Sequence, residues 1–205
     1  MENSSNKFSQ KILEKISKSD PGSIFFISDF AELNNDIMVG RVLSMAEKIG
    51  KLIRISKGIY FKPSYSKFGL VYPSTEKIVE AIAKRDKTQI MPTGDTALNL
   101  LGLSTQVPMN PVFLTSGSSR VIKIGKRRIV FKHSVPRNFA FKGKIIPLII
   151  QAMKSIGQEN LTEQVIGSIS DLLMEFPEKE TALHDVRLAP LWIKKHLLPL
   201  LSTPK

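Results

Sequence analysis

The residues best equipped for chemistry in this chain are cationic, and their spacing suits a polyanion better than a reaction. Arg41, Ser44 and Lys48 recur at intervals of three and four, which sets them along one face of a helix. A guanidinium on such a face can take guanine O6 and N7 bidentately, and Ser44 or the amide of Asn35 can reach a base edge or a phosphate. Asp36, Met38 and Met45 share the solvent side of that helix. Farther along, Arg54 and Lys57 flank a short β-prone stretch and suit phosphates, which position a protein without reading sequence. A second set comprises Arg120, Lys123, Lys126, Arg127, Arg128, Lys132 and Arg137, and no Asp or Glu occurs between Asp95 and Glu159. Cations without counter-charges suit DNA, RNA or the acidic surface of a protein partner. Phe131, Phe139 and Phe141 interleave thinly with them, and as rings they belong to a core more readily than to a base stack.

Residue types that catalyse are sparse. The chain has no cysteine, which removes disulfides, thiolate nucleophiles and Cys-based zinc sites. His133, His184 and His196 include no i, i+4 pair and lack metal-ligand spacing. Thr93-Gly94-Asp95-Thr96 lacks the multiple glycines and the lysine of a phosphate loop, and reads as a helix start capped by Asp95 or Thr93. Ser116-Gly117-Ser118-Ser119 does not have the pattern of a nucleophile elbow. A magnesium-dependent nuclease would have to draw on Glu76, Glu80, Asp86 and Asp95. The expectation is therefore a binding protein with no catalysis, cofactor or metal.

The elements that must hold these cations are legible from pattern. Residues 7–19 read as a helix on the recurrence of Phe8, Ile12 and Ile16, stopped by Asp20-Pro21-Gly22. Residues 23–27 read as a short strand, and Ser28 as the cap of a short helix over 29–33. Asn34-Asn35-Asp36 then caps a longer helix whose inward side is Val39, Val42, Leu43, Ala46 and Ile49, with Gly50 ending it. Residues 52–56 and 59–62 form a hairpin about Lys57-Gly58. Helix, strand, short helix, longer helix, hairpin is the order of a winged helix-turn-helix, in which the longer helix enters the major groove.

Beyond residue 70 the pattern is α+β. Ser74 caps a helix over 75–85, residues 88–91 are a short extended piece, and 96–101 are helical. Residues 111–115, 120–124 and 127–133 suggest a three-stranded antiparallel meander, followed by helices over 145–156, 161–174 and 191–201. The expected fold class is α+β, with a winged helix-turn-helix over 1–70 and a larger domain with a small antiparallel sheet and flanking helices over 71–205. The 205 residues carry 42% hydrophobic side chains, enough for packed cores, and a net charge of +12 that favours a polyanion. Residues 1–10 are polar, and the apolar stretch 145–153 is too short to cross a bilayer, so a soluble, cytoplasmic protein without membrane contact is expected.

Two blocks resemble a known family. Arg41-Val42-Leu43-Ser44, the run from Gly50-Lys51-Leu52-Ile53-Arg54 to Ile59-Tyr60, and Pro63 are similar to the winged helix of AbiEi-type antitoxins, from the AbiE type IV toxin–antitoxin (abortive infection) systems. Asp95-Thr96-Ala97-Leu98-Asn99-Leu100-Leu101-Gly102-Leu103-Ser104-Thr105-Gln106-Val107-Pro108 is the more specific block, followed by Phe113-Leu114-Thr115 and Lys132-His133-Ser134-Val135-Pro136-Arg137. Ala46 departs from the pattern, standing where such helices often carry Leu. The resemblance covers the chain to about Lys144. It implies an N-terminal winged helix that represses its own promoter on double-stranded DNA. It also implies a C-terminal domain that counteracts a toxin of nucleotidyltransferase fold without needing a stable complex. The charge of the basic strands, read by itself, suits added nucleic-acid affinity, the toxin's RNA substrate or its acidic surface. A winged-helix regulator unrelated to any toxin, whose larger domain senses a ligand or dimerises, is the alternative.

Overall fold

The computed structural model describes residues 2–176 and 179–202. The chain is mixed α+β and divides into two compact units, Met1–Lys87 with Ile122–Lys126, and Thr88–Val121 with Arg127–Lys205.

In the first unit, α1 (Glu2–Lys18) buries Ile12 and Ile16, and β1 (Ile24–Phe26) follows the turn at Pro21-Gly22. A 3-10 helix spans Ile27–Leu33. Ser28 does not cap it. The Asp29 carboxylate accepts the Phe26 backbone N–H at 2.8 Å, so the helix begins ahead of Ser28, which stays exposed. α2 (Asp36–Lys48) is capped by Asn35, whose side-chain oxygen accepts the Met38 N–H at 3.0 Å. Asp36 in the first turn and Lys48 in the last both complement the helix dipole.

The end of α2 is a Schellman motif. Gly50 N–H donates to Glu47 C=O at 2.9 Å and Lys51 N–H to Ala46 C=O at 2.9 Å, with Gly50 at a φ of +73°. Val39, Val42, Leu43 and Ala46 are buried as the helical period requires. Ile49 is not, being 57% exposed, because as the C-cap residue it has left the helical register.

β2 (Ile53–Ser56) and β3 (Ile59–Phe61) form the expected hairpin, and β1 adds to its other side in the order β1-β3-β2, all antiparallel. β3 takes the centre because Ile59, Tyr60 and Phe61 are all buried. Phe25, Phe30, Leu52 and Tyr60 join the α1 and α2 stripes in one core. A second hairpin, β4 (Ser64–Ser66) and β5 (Gly69–Val71), was not signalled by its short, mostly polar first strand. α3 (Thr75–Asp86) is capped as expected, Ser74 Oγ accepting the Lys77 N–H at 3.2 Å. Its Arg85 lies over the Phe26 ring, 4.5 Å from the centroid. The boundary expected after residue 70 thus falls inside this unit, which runs on through α3.

The second unit contains β6 (Ile90–Thr93), α4 (Asp95–Leu100), β7 (Val112–Thr115) and β9 (Arg127–His133), and β8 (Arg120–Ile124) begins in it and ends in the Ile122–Lys126 segment of the first. The strands form one sheet in the order β6-β7-β9-β8. This corrects the meander: β7 pairs with β9, in parallel, with Phe113 opposite Phe131. β9 is interior because it is the longest strand and buries Ile129 and Phe131, while β8 exposes Val121 and Lys123 at the edge. The Phe113 and Phe131 rings stack at 6.0 Å. β6, expected only as an extended piece, is the other edge strand, where Pro92 is tolerated.

Neither Asp95 nor Thr93 caps α4. Gly94 occupies that position, and Thr93 Oγ donates to Gln151 Oε1 at 3.1 Å instead. α5 (Ile145–Ile156) fills the core with Ile146, Ile149, Ile150 and Met153, packed among α6 (Glu163–Glu175), α7 (Lys179–Leu188) and α8 (Leu191–Ser202). Asp185 on α7 is fully buried, and its carboxylate accepts the Lys142 and Gly143 backbone N–H groups at 2.9 and 2.7 Å. A buried carboxylate satisfied by main-chain donors ties the chain ahead of α5 to α7.

Candidate nucleic-acid interface

The site begins with the contrast between the two sides of α2. Its buried stripe leaves an outward face made of Ile37, Gly40, Arg41, Ser44, Met45 and Lys48, at the three- and four-residue intervals of one helical face. The β2–β3 hairpin folds beside that face because the Schellman turn reverses the chain directly after α2 and Leu52 anchors the return in the core. The hairpin turns at Gly58, whose φ of +73° suits a residue without a side chain. The register shifts between Arg54 and Ser56, a bulge of the kind that re-aims side chains.

Between α2 and the hairpin lies an open groove of about 840 Å³. Arg41, Ser44 and Lys48 line it from the helix, Arg54, Lys57 and Gly58 from the hairpin, and Ile27 and Tyr60 from behind. No carboxylate is among the lining residues. Among the described residues, Arg41, Lys48 and Lys57 take part in no ion pair. Arg54 Nε donates only to the Ser56 carbonyl, at 3.4 Å. Four cations around one concavity, with no ion-pair partner among the described residues, make a local positive potential that screening confines to about 8 Å at physiological salt. Tyr60 is 4% exposed, yet its hydroxyl stands 3.4 Å from Ser44 Oγ.

Five of the six residues expected to contact DNA therefore converge on one groove. Asn35 does not line it, and its side-chain oxygen is engaged in capping α2, which leaves the amide N–H₂ as its outward group. Ile37, Gly40 and Tyr60 were not foreseen as site residues. A helical projection centred on Arg41 contains the first two, at positions −4 and −1.

Gly40 is not required by the backbone, since it is not among the positive-φ residues. A Cβ built there would meet only Ile27 Cδ1, at 3.6 Å, an ordinary contact. Mid-helix glycine costs about 1 kcal/mol relative to alanine, so its presence on the groove face is an uncompensated expense within this fold.

The second set of cations is disposed differently. Lys123 on β8, Lys126 in the turn, Arg127, Arg128 and Lys132 on β9 and Arg137 beyond it are exposed. Lys123 alternates with buried Ile122, and Arg128 and Lys132 with buried Ile129 and Phe131. Arg120 is half-buried with its guanidinium 5.3 Å from the Phe131 ring centroid. Phe131 and Phe139 are core residues and Phe141 packs at a core margin, so none is an open stacking platform. Burial on α5 and, secondarily, the charge of Arg137 push the Lys154 ammonium below the ordinary lysine pKa.

Among the described residues, no three His, Asp or Glu side chains are grouped to hold a metal ion, and no helix is long and apolar enough to cross a membrane. Asp86 is paired with its neighbour Arg85 at 2.6 Å, and Glu76, Glu80 and Asp95 are exposed. No curated protein matches the chain. A family model matches residues 11–182, spanning both compact units, and on that match the chain belongs to DUF6088, a family of unknown function.

Proposed function

We propose that this protein binds double-stranded DNA through an N-terminal winged helix made of α1, the 3-10 helix, α2 and the β2–β3 hairpin, and that it acts as a transcriptional autorepressor. One observation carries the reading: the groove draws Arg41, Ser44 and Lys48 from the helix and Arg54 and Lys57 from the hairpin, without an acidic side chain in its lining. A helix in the major groove flanked by a hairpin on the backbone uses such a division, base edges for the first and phosphates for the second. The exposed cations of β8 and β9 add affinity for nucleic acid or meet an acidic partner.

The resemblance of residues 95–108 and 132–137 to AbiEi-type antitoxins extends the proposal: the regulated operon includes a toxin of nucleotidyltransferase fold, which this protein counteracts. Co-expression with the neighbouring gene tests that extension. Rescue of growth supports the antitoxin role, and a harmless neighbour favours a regulator unrelated to a toxin.

Fluorescence anisotropy tests the core reading. The full chain is titrated onto a duplex from its own upstream region and onto a scrambled duplex, from roughly 50 to 200 mM salt, a range over which phosphate contacts alone weaken steeply. Preference for the native duplex that persists at the higher salt is the expected result. Equal binding that vanishes with salt would overturn operator recognition.

A further inference from the structure

We infer that the outward face of α2 reads thymine methyl groups, so that the DNA seated in this groove is thymine-rich where it faces Ile37, Gly40 and Met45. The inference rests on the duplex-binding reading above and specifies its substrate.

Ile37 is 73% exposed and Met45 is 43% exposed, yet both sit on the same concave surface as the four cations. The core does not require them, because Val39, Val42, Leu43 and Ala46 already complete the buried stripe of α2. The surrounding charge commits the occupant to a polyanion, and a protein surface or second copy of this basic chain would meet four uncompensated cations there. A duplex offers both complements at once: phosphates for Lys48, Arg54 and Lys57, and in its major groove one apolar group on a base edge, the C5-methyl of thymine.

Gly40 lies between the two apolar side chains in sequence and lines the same surface. Neither its backbone angles nor the space around it calls for glycine. Its missing side chain lets a base edge come close to the α2 backbone, which brings neighbouring methyls within reach of Ile37 and Met45. Polar reading is left to Arg41 and Ser44, and Ser44 also has the Tyr60 hydroxyl at 3.4 Å. The site is thus short of amide and carboxylate groups for reading adenine and cytosine, and well provided with apolar surface.

The experiment is selection of duplexes from a random pool by the full chain, followed by resynthesis of the enriched duplex with deoxyuridine in place of thymidine, one position at a time. That change removes the methyl and keeps every hydrogen-bonding group and charge. The expected result is a cluster of positions at which each replacement weakens binding roughly fourfold, the value of one buried methyl-sized group. Ile37→Ala should erase the difference between thymidine and deoxyuridine at the positions that face Ile37 and keep it at those that face Met45. Ile37 is exposed, so this variant leaves the core intact. Selective binding that is indifferent to deoxyuridine at every position would overturn the methyl-reading inference alone. Failure to enrich any sequence would overturn the duplex reading together with it.

Discussion

Two regions of this molecule carry exposed positive charge, and they differ in how that charge is held. Around α2 and the β2–β3 hairpin, cations from two elements converge on one groove that also presents Ile37, Gly40 and Met45. Along β8 and β9, Lys123, Arg128 and Lys132 alternate with buried Ile122, Ile129 and Phe131. A ladder of that kind has a fixed spacing but offers a ligand little besides charge. The groove has shape, apolar surface and backbone access as well. Charge alone gives affinity that salt removes, whereas discrimination between sequences needs groups that meet base edges. The proposed division of labour follows: the groove selects, and the strands hold.

The largest effect is expected from reversing the charge at the centre of the groove. Arg41→Glu should weaken binding to the native upstream duplex on the order of 100-fold, through loss of a bidentate contact and repulsion of nearby phosphates. Binding to a scrambled duplex should fall much less. Because Arg41 is exposed and outside any ion pair among the described residues, thermal unfolding should be unchanged, which separates recognition from folding. Equal losses on both duplexes would break the comparison at its root.

Gly40→Ala should move stability and binding in opposite directions. Alanine is the better helix former by about 1 kcal/mol, and its Cβ meets only Ile27 Cδ1 at 3.6 Å, so the melting temperature should rise. Binding to the selected duplex should weaken, because the new methyl stands where a base edge approaches. A stabilised variant that binds as well as the parent would show that close approach is not the reason for this glycine.

These expectations depend on what residue spacing does and does not reveal. The buried side of α2, its Asn35 cap and its Gly50 stop are local features, each decided within a few residues, and the chain spells them out. The convergence of Arg41 with Arg54 and Lys57 was legible for a similar reason: the connection is short and a Gly-centred turn sets it. What pattern could not give depends on distant partners. Asp185 finds its donors 42 and 43 residues away. The sheet order was hidden because β-prone segments reveal strands without revealing neighbours. β9 displaced β8 from beside β7 through the burial of Ile129 and Phe131, a decision of packing. Ile49 departs from the pattern for a subtler cause: the apolar period runs one residue past Lys48, where the helix ends.

A smaller effect should come from the strands. Lys126→Ala, at the exposed β8–β9 turn, should weaken native and scrambled duplexes alike, by a few-fold, and reduce the slope of log affinity against log salt by about one. The selectivity ratio should not move. A change in that ratio comparable with the effect of Arg41→Glu would assign base reading to the strands and dissolve the distinction between the regions. A loss confined to RNA would keep the distinction but assign the strands a different polyanion.

The smallest effect is a proton count at the margin of the second cationic region. Lys154 has its ammonium pushed below the ordinary lysine pKa, first by burial and then by Arg137. The unfolded chain therefore holds that proton to higher pH than the folded one, and stability rises as pH climbs from the lowered value toward the ordinary lysine value. Lys154 is only partly desolvated, so the change is small. Arg137→Ala removes the lesser cause, so NMR titration of Lys154 should show its pKa moving part of the way back, with the remainder still due to burial. A polyanion seated near Arg137 should push in the same direction by offsetting its charge, so adding scrambled duplex to the native protein should also raise the Lys154 pKa. Adding the duplex to Arg137→Ala should raise it less. If duplex leaves Lys154 unmoved while binding still depends on Lys126, the polyanion contacts the β8–β9 turn without extending to Arg137, and the strand surface is shorter than its run of cations.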